Sequence, residues 1–318
     1  MMQSAMQISV VVPVRNREDL LGQCLSSLVA SADGQSNVRI VVCDNGSTDG
    51  SVKVARSFGP LVEVVQSTAQ RVGGVRNDGA AAHKTAEVYA FLDSDCVVPP
   101  HFFAAIVETF EHSKATAVGC EVVSRKDGHW SERAWDELHR PGGDGPRHYI
   151  NSACFCIRSD FFWKIGGFDA EKVSSEDVDI CRRITFAGGS MWQSEKLAVL
   201  HLGNPQSVRG LYSRIRWHGE GIWEEGKGLQ WSVTTAATIA HAAFVVIGIL
   251  WGGWEVVHGH LTGVVLALGG MLLAPIAFVV ARAVQHRRAV PIFSGVALMS
   301  ITFPARIHGM IRSFVRSR

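Results

Sequence analysis

The chain carries no strong charge of either sign. Its 318 residues hold 31 Lys+Arg against 29 Asp+Glu, and such a balance offers no basic field for nucleic acid. Met1–Ile8 lacks the basic-then-apolar order of a secretion signal, so the N-terminal part is expected to stay in the cytoplasm. No Cys/His grouping has metal-site spacing. Cys24, Cys43, Cys96, Cys120, Cys154, Cys156 and Cys181 are scattered and odd in number, which speaks against a disulfide framework and for a reducing compartment. No Gly-x-Gly-x-x-Gly follows the first apolar run. Pro13-Val14-Arg15-Asn16 stands there instead, which argues against a dinucleotide-binding oxidoreductase. Acidic residues stop at Glu255, beyond which Arg282, Arg287, Arg288, Arg306, Arg312, Arg316 and Arg318 accumulate. A basic tail among apolar segments suits a membrane surface.

What is present up to about Trp231 reads as an α/β domain, residues 1–230. Short β-branched runs at Ile8–Val12, Val38–Cys43, Leu61–Val65 and Val88–Leu92 alternate with helical stretches, the pattern of a mostly parallel sheet with flanking helices. Asn16 is placed to cap the first helix, with Leu21, Cys24, Leu25 and Leu28 as its apolar face. Ser152–Ile157 and Leu197–Leu200 add further strands, and Ser174-Ser175-Glu176-Asp177 reads as a capping box. Ser124–His148, polar and Gly-rich with Pro141-Gly142-Gly143, Trp130 and Trp135, is expected to be a long mobile loop.

Residues 231–318 change character. Two apolar runs, at about 235–257 and 261–281, each match the roughly 20 residues a bilayer crossing needs. The second is without charge, and His258-Gly259-His260 between them is short enough for a helical hairpin. The following loop, with Arg282, Arg287 and Arg288, is then cytoplasmic by the positive-inside rule, and the N-terminal domain with it. The segment at about 290–305, with Pro at both ends, is expected to be interfacial or re-entrant.

Several side chains fall where such sheets bind ligands, beyond the carboxyl ends of the strands. Asp93-Ser94-Asp95 ends the fourth strand; its carboxylates either hold a hard divalent cation or form a solvated turn. Asp44 ends the second strand and either accepts from a ligand donor or closes an Asx-turn. Arg76, after Gly73-Gly74, is either a phosphate or base partner or a surface Arg. Asp177, in a helix first turn, is either a cap or a general base. His201 is either a metal ligand or structural. Arg214 and Arg216 either clamp a diphosphate or meet anionic lipid.

In this order, VVVPVRNREDL, VVCDNGSTDGS, GVRNDGA, FLDSDCVVPP, GGFD with SSEDVDICRR, and VLH resemble the family 2 glycosyltransferases over about Gln7–Gly221. The resemblance implies a GT-A fold, with the transmembrane hairpin read from the apolar runs following it. It also implies an inverting single displacement from a nucleotide-diphosphate sugar, a uridine diphosphate sugar being the commonest choice, to a hydroxyl acceptor. Carried over by position, Pro13, Arg15, Asp44, Arg76 and Asp93 match nucleotide-sugar-binding residues. Arg15 stands where the family commonly has an aromatic. Asp95 with Asp93, completed by His201, match the ligands of Mg²⁺ or Mn²⁺, and Asp177 matches the general base. The loop with Trp130 and Trp135 is expected to fold over sugar or acceptor. The Gln-x-x-Arg-Trp motif of processive synthases is incomplete here, the stretch reading Ser213-Arg214-Ile215-Arg216-Trp217. Transfer of one sugar, to a lipid-linked acceptor or cell-surface polysaccharide precursor, is therefore expected ahead of a processive synthase or a non-catalytic nucleotide-sugar-binding subunit. The expected setting is the plasma membrane, multi-pass, with lipids as partners and the catalytic domain cytoplasmic.

Overall fold

The structure, a computed structural model, describes residues 6–139, 142–220, 223–224, 228–229, 232–286 and 291–316. Of the residues named above, Met1, Pro141, Gly221, Trp231, Arg287, Arg288 and Arg318 lie outside them. In chain order the first elements are β1 Ile8–Val14, α1 Glu18–Ser31, β2 Val38–Asp44, α2 Ser51–Arg56, β3 Val62–Gln66, α3 Val72–Ala82, β4 Val88–Leu92 and β5 Cys96–Val97. There follow α4 Phe102–Ser113, β6 Ala117–Val123, α5 Trp130–His139, β7 Gly145–Arg147, β8 Cys154–Arg158, α6 Ser159–Lys164, α7 Glu176–Phe186 and β9 Met191–His201. The chain ends in α8 Val208–Glu220, β10 Trp223–Glu224, β11 Gly228–Leu229, α9 Val233–Val257, α10 Leu261–Met271, α11 Leu273–His286 and α12 Ile292–Arg316.

Two compact units result. The first is residues 1–125 with 141–203, the second 126–140 with 204–318. The expected boundary at residues 230–231 lies outside the described residues. The first unit is built on a sheet ordered β3-β2-β1-β4-β8-β6-β9-β5, with β7 also on β9. Strands β1–β4, β6 and β9 run one way, while β5, β7 and β8 oppose them, so the sheet is mostly parallel as expected. All of β1 and β4 is buried, as strands covered on both faces require. Chain order reverses between β1 and β4, and register sets Val14 beside Asp44 and Val11 beside Phe91. The carboxyl ends carrying Arg15, Asp44 and Asp93 therefore share one edge.

Three local expectations are corrected. Asn16 does not cap α1; the cap position is Arg17, and Asn16, at φ 53°, accepts the Thr48 amide hydrogen at 2.8 Å. The turn after β2 competes for that side chain and wins. Ser175 precedes α7 in a left-handed conformation, φ 63°, without a side-chain cap, because Glu176 is drawn elsewhere. The stretch 124–148 is no long loop: it holds α5 and β7. Trp130, Ala134 and Leu138 recur every four residues, and Ala134 and Leu138 are buried in the core of the second unit with Leu211, Ile215, Phe278 and Phe303.

In that unit α9 is long and apolar enough to cross a membrane. The second expected span is broken into α10 and α11, bent by 42°. Pro275 explains the break, because its ring would meet the carbonyl of Met271, the last residue of α10. The segment 290–305 is not short: it belongs to the 25-residue α12, which runs through Pro304. Tertiary packing overrides the proline. Gly219 of α8 and Gly309 of α12 bring the two backbones together, a Cβ on either being blocked by the carbonyl of Arg306 or Arg216.

Candidate active site

β4 delivers Asp93 to the sheet edge, where its amide donates to the Ala153 carbonyl at 3.1 Å. The chain turns at once: Cys96 N–H donates to the Asp93 carbonyl at 3.0 Å, and β5 pairs antiparallel with the end of β9, Cys96 opposite His201. That register brings Asp95 Oδ1 to 3.3 Å from His201 Nε2. Gly203 closes the place, since the Asp95 carboxylate occupies the space a Cβ there would need. Leu202 N–H donates to the Asp95 carbonyl at 2.8 Å.

Asp95 Oδ1 and His201 Nδ1 are buried and lack hydrogen-bond partners among the described residues. Unsatisfied polar atoms are costly in such a place, and a carboxylate oxygen beside an imidazole nitrogen is a fitting start to a Mn²⁺ or Mg²⁺ site. Cys96 brings a third ligand-type atom within 4.8 Å. A thiol is a soft donor, which suits Mn²⁺ or Mg²⁺ less well than the carboxylate and imidazole beside it.

Asp93 Oδ1 turns instead to Arg76. The α3 helix carries Arg76 fully under the surface, with its Nη2 at 2.8 Å from Asp93 Oδ1 and Nη1 at 2.7 Å from Glu176 Oε1. The guanidinium also lies over the Phe168 ring, 5.4 Å from its centroid. Ser152 Oγ donates to the same Glu176 oxygen at 3.2 Å. Burial opposes each charge in this group. It pushes the Glu176 carboxyl up, but Arg76, the amide of Glu176 and Ser152 together outweigh it and the net shift is downward. In Asp93 burial wins, helped by Asp95 and opposed by Arg76, and the net shift is upward. The surface reading of Arg76 is thereby excluded; one cation ties the loop after β4 to the start of α7.

Asp177 follows Glu176. Its Oδ1 accepts the Val178 amide at 2.8 Å, and its Oδ2 accepts the Tyr149 hydroxyl at 2.5 Å. Burial, and then the Glu176 charge, raise its pKa against the lowering effect of the Tyr149 bond. A raised carboxylate held by a phenol suits a proton acceptor.

Of the other expected residues, Asp44 is buried and accepts the Ser47 amide with both oxygens, at 3.2 and 3.3 Å, an Asx-turn. Pro13 is buried within β1 opposite Cys43, and Arg15 is exposed just beyond. Arg214 and Arg216 belong to the second unit, where Arg214 lies 3.4 Å from Asn204 Oδ1. Sequence reasoning missed Tyr149 and Glu176 as partners. Glu176 could have been suspected as the second acid of Glu176-Asp177; nothing local marks Tyr149.

Residues 9–166 match the family described as glycosyl transferase family 2. Over 206 residues the chain is 25% identical to glycosyltransferase AglE of Haloferax volcanii, covering 62% of this chain and 67% of that protein. Over 228 residues it is 27% identical to a pre-mycofactocin glycosyltransferase of Mycobacterium tuberculosis, covering 67% of this chain but only 46% of the relative. Among solved structures, mannosyltransferase PcManGT from Pyrobaculum calidifontis, in complex with GDP-Man and Mn²⁺, aligns at TM-score 0.59 and 15% identity over 98% of this chain and 88% of that one. The last likeness bears on fold alone.

Proposed function

Because the chain belongs to glycosyl transferase family 2, we propose that it moves one sugar from a nucleotide-diphosphate sugar to a hydroxyl acceptor, with inversion at the anomeric carbon. The observation that carries this reading is the Asp93–Arg76–Glu176 chain, which fastens the Asp93-Ser94-Asp95 loop to the helix start bearing Asp177. On this reading the base for the attacking hydroxyl and the diphosphate site share one corner.

Asp177 accepts the proton of the attacking hydroxyl through its carboxylate, and Tyr149 holds that carboxylate in place. Asp95 and His201 would hold a divalent ion, Mn²⁺ or Mg²⁺, which supplies charge neutralisation for a leaving diphosphate. Asp93 reaches toward the same loop with Arg76 behind it. Arg15 and Asp44, at the neighbouring strand ends, are proposed to meet the nucleotide, with Pro13 shaping the strand end. Arg76 acts on the donor side through Asp93. A uridine diphosphate sugar is the first donor to test.

The second unit supports a membrane setting. Val246, Ile247, Ile249, Leu250 and Val257 of α9 are 56–81% exposed, whereas the core helix of a soluble protein hides such residues. The reading places the first unit at the cytoplasmic face of the plasma membrane, α9 and the bent α10–α11 pair crossing it, and the acceptor on a lipid.

The test is release of nucleoside diphosphate by detergent-purified protein from a panel of nucleotide-sugars, with Mn²⁺, Mg²⁺ or EDTA, beside Asp95→Ala and Asp177→Asn. Metal-dependent release from one donor that falls in both variants supports the reading. Absence of both turnover and nucleotide binding sinks it.

A further inference from the structure

The second unit contains two adjoining hollows that the transferase chemistry does not use. One, of about 460 Å³, lies between α9 and α12; its walls include Val245, Pro304, Ile307 and Ile311. The other, of about 550 Å³, lies between α8 and α12 and is lined by Arg209, Tyr212, Ser213 and Arg216. His308 borders both, so the apolar hollow and the basic one share a wall.

The basic hollow is made by one face of α8. Arg209, Tyr212, Ser213 and Arg216 fall at i, i+3, i+4 and i+7, a single stripe. The Tyr212 hydroxyl and His308 Nδ1 are hydrogen-bonded at 3.1 Å, which fixes the wall where the two hollows meet. Among the described residues neither Arg209 nor Arg216 has an acidic partner. Glu220, on the same helix, lies 3.8 Å from Arg312 instead. Two cations at the mouth of an apolar groove call for an anion with an apolar tail. In the apolar groove one polar atom, His241 Nδ1, is buried and unpartnered among the described residues.

We propose that the α8–α9–α12 groove binds a membrane lipid carrying a phosphate group, its chain between α9 and α12 and its phosphate between Arg209 and Arg216. This deepens the transferase reading and rests on it in one respect: the lipid is the carrier on which the acceptor hydroxyl rides. A guanidinium pair recognises phosphate by charge-assisted hydrogen bonds. Burial of the chain supplies a contribution that free phosphate cannot obtain.

The experiment uses the full chain in detergent and native mass spectrometry with dodecyl phosphate, dodecanol and inorganic phosphate as probes. Dodecyl phosphate is expected to bind saturably, one per chain, at least ten-fold tighter than either other probe. Arg209→Gln with Arg216→Gln should remove that ten-fold advantage and leave dodecanol unchanged. Val245→Trp, or Ile311→Trp if the first is poorly folded, should weaken both chain-bearing probes and spare inorganic phosphate. Equal binding of dodecanol and dodecyl phosphate, inorganic phosphate binding as tightly as dodecyl phosphate, or a double variant that binds like the parent, overturns the proposal. Nucleotide binding measured in the same samples separates the two readings. Lipid phosphate without nucleotide leaves the groove standing and removes the transferase role; nucleotide without lipid phosphate does the reverse.

Discussion

Tyr149 donates its phenolic hydrogen to Asp177 across 2.5 Å, although the tyrosine itself is 45% exposed. A phenol tied to a carboxylate in this way orients it. Asp177→Asn keeps the shape and removes the basicity. It should lower kcat by about 10²–10⁴-fold, the usual worth of general base catalysis, while the Kd for nucleotide stays within a few-fold. An unchanged kcat would remove Asp177 from the reaction.

The same pair sets the pH dependence. The base must be unprotonated, and burial followed by the Glu176 charge raises the Asp177 pKa while the Tyr149 bond lowers it. Activity should therefore be lost as pH falls through a value above the ordinary Asp range of about 3.9. Tyr149→Phe removes the lowering contribution, so its acidic limb should move to higher pH, with a smaller loss on the plateau than Asp177→Asn. A limb that moves down, or not at all, contradicts the positioning role.

Asp95 and His201 should behave as a pair toward metal. Mn²⁺ titrated into the protein and followed by its electron spin resonance signal should show one site that EDTA empties. Asp95→Ala and His201→Ala should each weaken it by at least ten-fold, as loss of one of few ligands would. Cys96→Ser should bind Mn²⁺ like the parent, because a soft thiol is a poor donor to a hard cation. Gly203→Ala adds a Cβ where the Asp95 carboxylate lies, and should weaken Mn²⁺ without touching a ligand.

Most of the site's frame was legible because strand ends are. The runs Ile8–Val12 and Val88–Leu92 fixed where β1 and β4 stop, and with them Arg15, Asp93 and Asp95. Joining β5 to β9 was not legible, since a two-residue strand has no periodicity; His201 was marked by its place after Leu197–Leu200 and by the resemblance, but its place beside Asp95 came only from the register. The partners of Glu176 were hidden for another reason: a capping box and a buried ion pair begin with the same letters, and only the tertiary position of Arg76 decides between them. The stretch around Trp130 misled because its Gly-rich end masked a four-residue apolar repeat. At Pro304 a local breaker was overridden by the contact of α12 with α8.

If α9 faces lipid, a charge at its outward face should cost more in a bilayer than in water. Leu250, 70% exposed, is a fitting position. Leu250→Arg should reduce the membrane-extracted fraction, with a penalty of about 2.5–3.5 kcal/mol near a span's centre on insertion scales. Leu250→Phe should not. Equal membrane recovery of both variants would argue that α9 lies outside the bilayer.

The last prediction concerns what holds the corner together. Arg76 contacts both Asp93 and Glu176. Arg76→Met removes the cation and leaves the buried Glu176 and the half-buried Asp93 without it. Breaking a buried pair in this way costs about 3–5 kcal/mol, and the apparent Tm should fall accordingly. The freed carboxylates should then titrate upward. Arg76 holds the Glu176 pKa below its ordinary value, and a depressed acid contributes stability above its unfolded pKa that disappears as pH falls through the folded one. The parent should therefore lose that contribution on acidification, and Arg76→Met should have none to lose. Adding Glu176→Gln to Arg76→Met neutralises one stranded acid and should recover part of the loss, a coupling of about 0.5–3 kcal/mol between contacting residues. Additive effects of the two substitutions would mean that Arg76 and Glu176 do not depend on each other, and the corner would need another explanation.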